Sequence, residues 1–223
     1  MNYSTGRSCW LCLALAALLS QVGCEQRRSG YGYGPVDPAS FQFNDAAETN
    51  ADLPQDVGQL TFLDRGGQAV ALADYRDKKN VVLVFLRGFS GEICPYCQTQ
   101  SSRLIANYQQ FADRDAEILL VYPGDPDTVG PFLEAVAKAG QTMAADVPFP
   151  VLLDEGLKAV DFFQIRDNLA LPATFILDRQ GAVRFAYVGS GVSDRPSVKA
   201  LLAQLDLVQG KSAAGEPEAS APG

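Results

Sequence analysis

The sequence predicts an α/β fold, a three-layer sandwich with a central mixed sheet flanked by helices and an N-terminal β-hairpin extension. Three observations lead there. Short apolar runs of strand length alternate with stretches of helical periodicity. Two of the runs, residues 80–86 (NVVLVFL) and 117–122 (EILLVY), are apolar without alternation, as strands covered on both faces are. The chain has 223 residues, 47% of them hydrophobic, enough to bury a core without disulfide staples.

The elements follow in order. Residues 58–63 and 68–72, separated by Asp64-Arg65-Gly66-Gly67, read as a hairpin. After strand 80–86, a helix fits 95–114, with Leu104, Ile105, Tyr108, Phe111 and Ala112 on one stripe. Strand 117–122 is next, and Phe132, Leu133, Val136 and Ala137 mark a second helix face after Pro131. Residues 149–153 (FPVLL) read as a strand and 155–163 as a helix. Residues 173–177 (ATFIL) and 183–188 (VRFAYV) pair around the turn Asp178-Arg179-Gln180-Gly181. Residues 195–207 close the domain as a helix with Val198, Leu201, Leu202 and Leu205 inward. An order of βαβα, then β, α, hairpin and helix suits one sheet with helices on both faces.

The flanks differ in kind. Residues 9–19 (CWLCLALAALL) are too short to span a bilayer, which takes about 20 residues, but have the length of a signal-peptide core. Residues 1–23 are therefore expected to be an export signal. Val22-Gly23 before Cys24 resembles the lipobox of bacterial lipoproteins, in which the cysteine is acylated, although Gln21 stands where that pattern has an aliphatic residue. A conventional signal, cleaved or uncleaved, and a buried helix are the other readings of the stretch. The expected location is the periplasmic side of the cell envelope, with the chain held to the membrane by lipid on Cys24. Residues 24–56 are polar and rich in Gly and Pro, a flexible linker able to hold a domain roughly 30 Å from its anchor. The GYGYG within it is a linker repeat or a binding element. The folded domain is expected over 57–208, and 209–223 reads as a disordered tail.

Composition narrows the chemistry. The 18 Lys and Arg against 26 Asp and Glu give a net charge of −8, which argues against nucleic-acid partners and a polybasic membrane patch. There is no histidine, which excludes imidazole triads, histidine general bases and histidine metal sites. Five cysteines remain, and three of them, Cys9, Cys12 and Cys24, belong to the signal and its boundary.

The other two form Cys94-Pro95-Tyr96-Cys97, between an apolar strand and the next helix. A spacing of three on a helix puts both Cβ atoms on one face, about 5 to 6 Å apart, which suits an intramolecular disulfide. The helix N-terminus offers partial positive charge and free N–H donors, so Cys94 is expected to be the low-pKa nucleophile and Cys97 the more buried resolving thiol. Pro95 suits the first helical turn, where no donor is needed. A zinc ribbon lacks its further ligands, a structural bridge across so small a loop gains little stability, and copper delivery usually recruits a histidine. Thiol redox chemistry is the reading left, with no cofactor beyond the Cys94–Cys97 dithiol or disulfide and no metal.

Residues 81–189 resemble the redoxin branch of the thioredoxin superfamily, the alkyl hydroperoxide reductase and thiol-specific antioxidant (AhpC/TSA) family of peroxiredoxin-like proteins. The residues that carry the resemblance are VVLVFLRGF, CPYC, VYPGD at 121–125, FPVLLD at 149–154 and LPATFILDRQGAVRFAYVG at 171–189. It implies a thioredoxin-like sandwich and a cis proline facing the CxxC, carried onto Pro172 after Leu171, which would shape a substrate groove. It also implies an antioxidant or thiol-exchange enzyme whose partners are thiol or disulfide proteins, small thiols or peroxide.

The sequence departs from the family's peroxidase pattern. Peroxiredoxins place a Pro and a Thr seven and three residues before the reactive cysteine, where this chain has Arg87 and Gly91, and an Arg near the position of Pro172. These departures favour thiol-disulfide exchange, with thiol peroxidase as the alternative and a non-enzymatic tethered interaction module as a third reading. Arg87 and Arg103 are the candidate cations near the sulfurs, and each also reads as a solvated residue. Tyr96 is expected to shape the surface beside the sulfur, and Glu92 reads as a loop acid. Asp194-Arg195-Pro196 resembles the start of the last redoxin helix, a structural role.

Overall fold

The computed structural model describes residues 37, 40–143 and 146–211. The expected signal, the lipidation of Cys24, the GYGYG repeat and most of the tail lie outside the described residues.

Apolar alternation builds the sheet. In β3 (Asn80–Phe85) and the residue after it, Val82, Val84 and Leu86 join one buried cluster, while Val81, Leu83 and Phe85 join another on the opposite face. In β4 (Ala116–Pro123), Ile118 and Leu120 divide from Leu119 and Val121 in the same way. That is why these two runs show no polar face.

Around them lie β1 (Thr61–Asp64), β2 (Ala69–Ala71), β5 (Val151–Asp154), β6 (Ala173–Leu177) and β7 (Val183–Val188), and the seven strands run in the order β2-β1-β5-β4-β3-β6-β7. β3, β4 and β5 are parallel, and the β1–β2, β1–β5, β3–β6 and β6–β7 pairs are antiparallel. The fold is the α/β sandwich with a mixed sheet and an N-terminal hairpin. Both hairpin turns are closed by an aspartate: Asp64 Oδ1 accepts from the amides of Gly66 and Gln68 at 2.7 and 2.9 Å. Asp178 Oδ1 accepts from Gln180 and Ala182, both at 2.9 Å.

The helices are α1 (Pro95–Ala106), α2 (Tyr108–Ala112), α3 (Val129–Gly140), α4 (Lys158–Phe162) and α5 (Val198–Val208). Leu104 of α1, Phe132 and Val136 of α3, and Leu201 and Leu205 of α5 fill the first cluster, and Ala159 and Val160 of α4 the second. The helix expected over 95–114 is two helices. Asn107 leaves helical geometry at φ −114, and its side chain donates to Arg103 O at 2.8 Å and accepts from Gln110 Nε2 at 2.7 Å, competing with the helical ladder. α4 starts later than expected because the Asp154 carboxylate receives the amides of Ala159 and Val160 at 3.2 and 3.0 Å. α5 also begins three residues late, where Ser197 Oγ accepts from the Ala200 amide at 3.2 Å.

Residues 40–56, expected to end a linker, lie against the domain. Ala47 is buried in the first cluster, and Gln204 Nε2 of α5 donates to its carbonyl at 3.0 Å. Asn50 closes the edge of β7: its amide donates to Ala186 O at 3.0 Å, and its side chain accepts from Val188 N at 2.8 Å and donates to Val188 O at 3.0 Å. This docking runs through asparagine amides on an exposed strand edge, which leave no apolar period in the sequence.

Candidate active site

β3 leads through residues 86–93 to the CPYC turn. Leu86 N still donates to Val121 O at 3.0 Å, and the next amide, that of Arg87, reaches Cys97 Sγ at 3.5 Å. Cys94 is the N-cap of α1, with Pro95 in the first turn, and its Sγ accepts from the Cys97 amide at 3.4 Å. The cap position gives Cys94 a donor that favours negative charge on sulfur. The two cysteines are unbridged and buried, 3% and 2% exposed. Burial pushes the Cys97 thiol well up, the neighbouring Cys94 sulfur adds to this, and Arg195 opposes it.

Arg195 is 1% exposed, and it corrects the expectation of a purely structural helix start. Its Nη2 lies 3.3 Å from Cys97 Sγ and 4.0 Å from Cys94 Sγ, its Nη1 donates to Gln100 Oε1 at 2.5 Å, and its Nε donates to Val192 O at 3.0 Å. Pro196 disfavours helical geometry for the residue before it, so Arg195 stays outside α5 and its side chain turns inward. The loop carrying it is tied down. Asp194 Oδ1 accepts from Tyr187 Oη at 2.5 Å, and its Oδ2 accepts from both the amide and the hydroxyl of Ser190 at 2.8 Å. A Cβ on Gly189 would stand 2.2 Å from Asp194 O and 3.0 Å from Pro172 Cγ, so this close approach requires glycine.

The two expected cations are placed otherwise. The Arg87 guanidinium lies 3.9 Å from Asp167, and this residue reaches the sulfurs through its amide. Arg103 donates to Phe41 O at 2.8 Å and covers the Phe43 ring at 4.8 Å. Phe41 in turn stacks on Tyr96, with ring centroids 4.1 Å apart and planes at 20°. Tyr96 thus carries a strap formed by residues 41–44. The strap continues to the Arg195 loop, where Asn44 N donates to Arg195 O at 2.8 Å and Asn44 O accepts from Ser197 N at 2.9 Å.

Pro172 opens β6 beside this assembly, and the register that pairs Phe85 with Ala173 sets it across from Leu86. The expected cis bond is not found, since no peptide bond among the described residues is cis. Backbone hydrogen bonds hold both sides of the trans link: Leu171 N donates to Ile165 O and Gly189 N to Pro172 O, each at 2.8 Å. Among the described residues no group of three or more Cys, Asp or Glu is placed to hold a metal ion. What the arrangement offers is a dithiol on one helical turn, with backbone donors at both sulfurs and one guanidinium reaching both.

Residues 52–186 match the AhpC/TSA family. The chain belongs to that family. It is 32% identical over 133 residues to alkyl hydroperoxide reductase E of Mycobacterium tuberculosis, covering 57% of this chain and 78% of the relative. It is 26% identical over 127 residues to the thiol-disulfide oxidoreductase ResA of Halalkalibacterium halodurans, covering 56% of this chain. The match spans 62% of that relative, less than two thirds of its length. In fold it is similar to peroxiredoxin 6 of Arenicola marina, with a TM-score of 0.63 at 17% identity over 78% of this chain and 81% of the other.

Of the expected site residues, the structure brings Cys94, Pro95, Tyr96 and Cys97 together with the Arg87 amide, and sets Leu171 and Pro172 on the neighbouring strand. Sequence reasoning missed Arg195 and Gln100. The absence of histidine signals that a cation is needed, but nothing in the spacing points to an arginine 101 residues from Cys94.

Proposed function

We propose that this AhpC/TSA protein catalyses thiol-disulfide exchange. The observation that carries the reading is the shared turn: the Cys97 amide donates to Cys94 Sγ while Arg195 Nη2 reaches both sulfurs. The relatives are thiol oxidoreductases and peroxiredoxins, so the chain is read as an enzyme rather than a tethered interaction module. Exchange is reversible, and in the direction that consumes a substrate disulfide Cys94 attacks as the thiolate. One sulfur of a substrate disulfide bonds to it, and the other leaves as a thiolate and takes a proton. Cys97 then gives up its proton and attacks Cys94 Sγ, forming Cys94–Cys97 and releasing the second substrate thiol. The dithiol is itself the redox group, and no other cofactor enters these steps. Substrates and partners are protein or small-molecule thiols and disulfides.

A second reading, reduction of hydroperoxides, is favoured by the buried Arg195 guanidinium beside the sulfurs. In that reaction Cys94 takes the terminal oxygen to become a sulfenic acid, the alcohol leaves, and Cys97 closes the disulfide with loss of water. Gly91 tells against it. It occupies the position of the peroxiredoxin threonine with φ +101, a backbone geometry that β-branched residues avoid.

The proposal includes a place in the cell envelope with lipid on Cys24, which rests on residues 9–24 of the sequence. The chemistry is tested with the full-length Cys97→Ser protein and a disulfide-bonded peptide. Peptide mapping should find half of the substrate on Cys94, and failure of any adduct to form there refutes the exchange mechanism. A peroxide rate for the wild type no faster than that of a free thiol removes the second reading.

A further inference from the structure

Arg195 carries a charge that the two redox states of the dithiol balance differently. The side chain is 1% exposed, and two of its hydrogen-bond partners, Val192 O and Gln100 Oε1, are neutral. Among the described residues no carboxylate forms an ion pair with it. The adjacent Asp194 carboxylate is occupied by Tyr187 and Ser190. The groups left to balance the guanidinium are the sulfurs at 3.3 and 4.0 Å. A buried cation without a counter-charge is costly, and a thiolate beside it removes that cost.

The reduced pair can supply such a thiolate, and the backbone amides of Cys97 and Arg87 point at the same sulfurs. The disulfide supplies no negative charge. Forming it therefore strips Arg195 of its counter-charge and leaves both amides facing a neutral acceptor. The guanidinium and these two amides all favour the reduced state.

We infer that the Cys94–Cys97 disulfide is an oxidant, a donor of disulfides to dithiol substrates, and that Arg195 is the positioning residue that sets this direction. The inference rests on Cys94 and Cys97 being the working pair. A substrate thiolate attacks Cys94 Sγ, the Cys94–Cys97 bond breaks, and Cys97 leaves as a thiolate and takes a proton. The second substrate thiol, deprotonated, attacks the substrate sulfur of the mixed disulfide. Cys94 then departs as a thiolate, with the Cys97 amide 3.4 Å and Arg195 Nη2 4.0 Å from its sulfur. Two electrons have moved from the substrate, now a disulfide, to the enzyme, now a dithiol. A second, more oxidising disulfide restores the pair by the reverse exchange. Stabilising the departing thiolate also makes Cys94 the better leaving group, which speeds the second step.

The test equilibrates full-length protein with glutathione mixtures and follows the Cys94–Cys97 peptide by thiol trapping and mass spectrometry, so that the other cysteines are not counted. The wild-type pair should be a dithiol in mixtures that hold thioredoxin as a disulfide. Arg195→Gln should shift the equilibrium at least tenfold toward the disulfide, about 30 mV lower in potential. Arg195→Lys, which keeps the charge, should stay within threefold of wild type. Arg195→Met serves if the glutamine variant does not fold, and the comparison with thioredoxin needs no variant. A wild-type pair as reducing as thioredoxin overturns the inference, as does a potential indifferent to the charge at position 195. If no Cys94–Cys97 disulfide forms at all, the exchange mechanism itself fails. A disulfide that forms and exchanges at a low potential removes only the direction proposed for it.

Discussion

Gly91 shows how much of the site is decided by single backbone positions. Its φ is +101, and apart from its chain neighbours no atom lies within 4 Å of where a Cβ would stand. Substituting Gly91→Thr meets no steric wall, so its cost is conformational, about 1–3 kcal/mol. Urea unfolding should read that loss, and an unchanged midpoint would show that the loop accepts a β-branched residue. Residue-level legibility followed distance along the chain. Cys94, Pro95 and Cys97 could be placed from sequence because their roles depend on local spacing and a helix start. Arg195 could not, because its partners are a sulfur 98 residues away and an amide 95 residues away. Arg87 and Arg103 were nearer in sequence, but the Arg87 guanidinium pairs with Asp167 and the Arg103 guanidinium with the strap.

Among the elements, those buried on both faces were the most legible. β3, β4 and β6 are wholly buried and read as mostly apolar runs, interrupted only by Asn80, Glu117 and Thr174. Polar side chains that bond to the backbone set the boundaries that sequence periodicity misplaced: Asn107 divides α1 from α2, and Asp154 delays α4. The segment that holds the strap is the extreme case, because Asn44 within the strap and Asn50 beyond it dock through hydrogen bonds that leave no pattern. Its anchor over the site is the Phe41–Tyr96 stack, and Phe41 itself is buried. Phe41→Ala should remove about 0.5–1.5 kcal/mol of ring contact beyond the loss of buried area. Hydrogen exchange across residues 41–47 should rise, while the protection of β3 and β4 holds. Equal loss in the central strands would mean that the strap is part of the global core.

At the scale of the whole molecule, the Arg195 loop is tied to the sheet by a titrating pair. Burial pushes the Asp194 carboxyl up, but hydrogen bonds from Tyr187 and Ser190 outweigh it and hold the group below its ordinary value. Burial and the same Asp194 contact push the Tyr187 hydroxyl above its own. A lowered carboxyl contributes stability that is present above the unfolded value of about 3.9 and is lost as pH falls through the folded one. A raised tyrosine contributes below about 10 and loses its contribution as pH rises through its folded value. Both contributions are therefore in force near neutrality. Chemical denaturation from pH 6 down to 2 should show an acid limb that is shallower in Asp194→Asn, and an identical limb would mean that Asp194 titrates as it does in the unfolded chain.

The site draws on four stretches of chain: the strap at 41–44, the turn at 87–97, the start of β6 and the loop at 195. Loop closure of that length comes late in folding. During synthesis the CPYC turn leaves the ribosome about a hundred residues ahead of Arg195, a gap of 101 positions from Cys94. At the 5–20 residues per second typical of translation, the thiols wait seconds before their cation docks. On the nascent chain Cys94 and Cys97 thus stand without the guanidinium, and the proposed exchange site is complete only once the loop at Arg195 has docked.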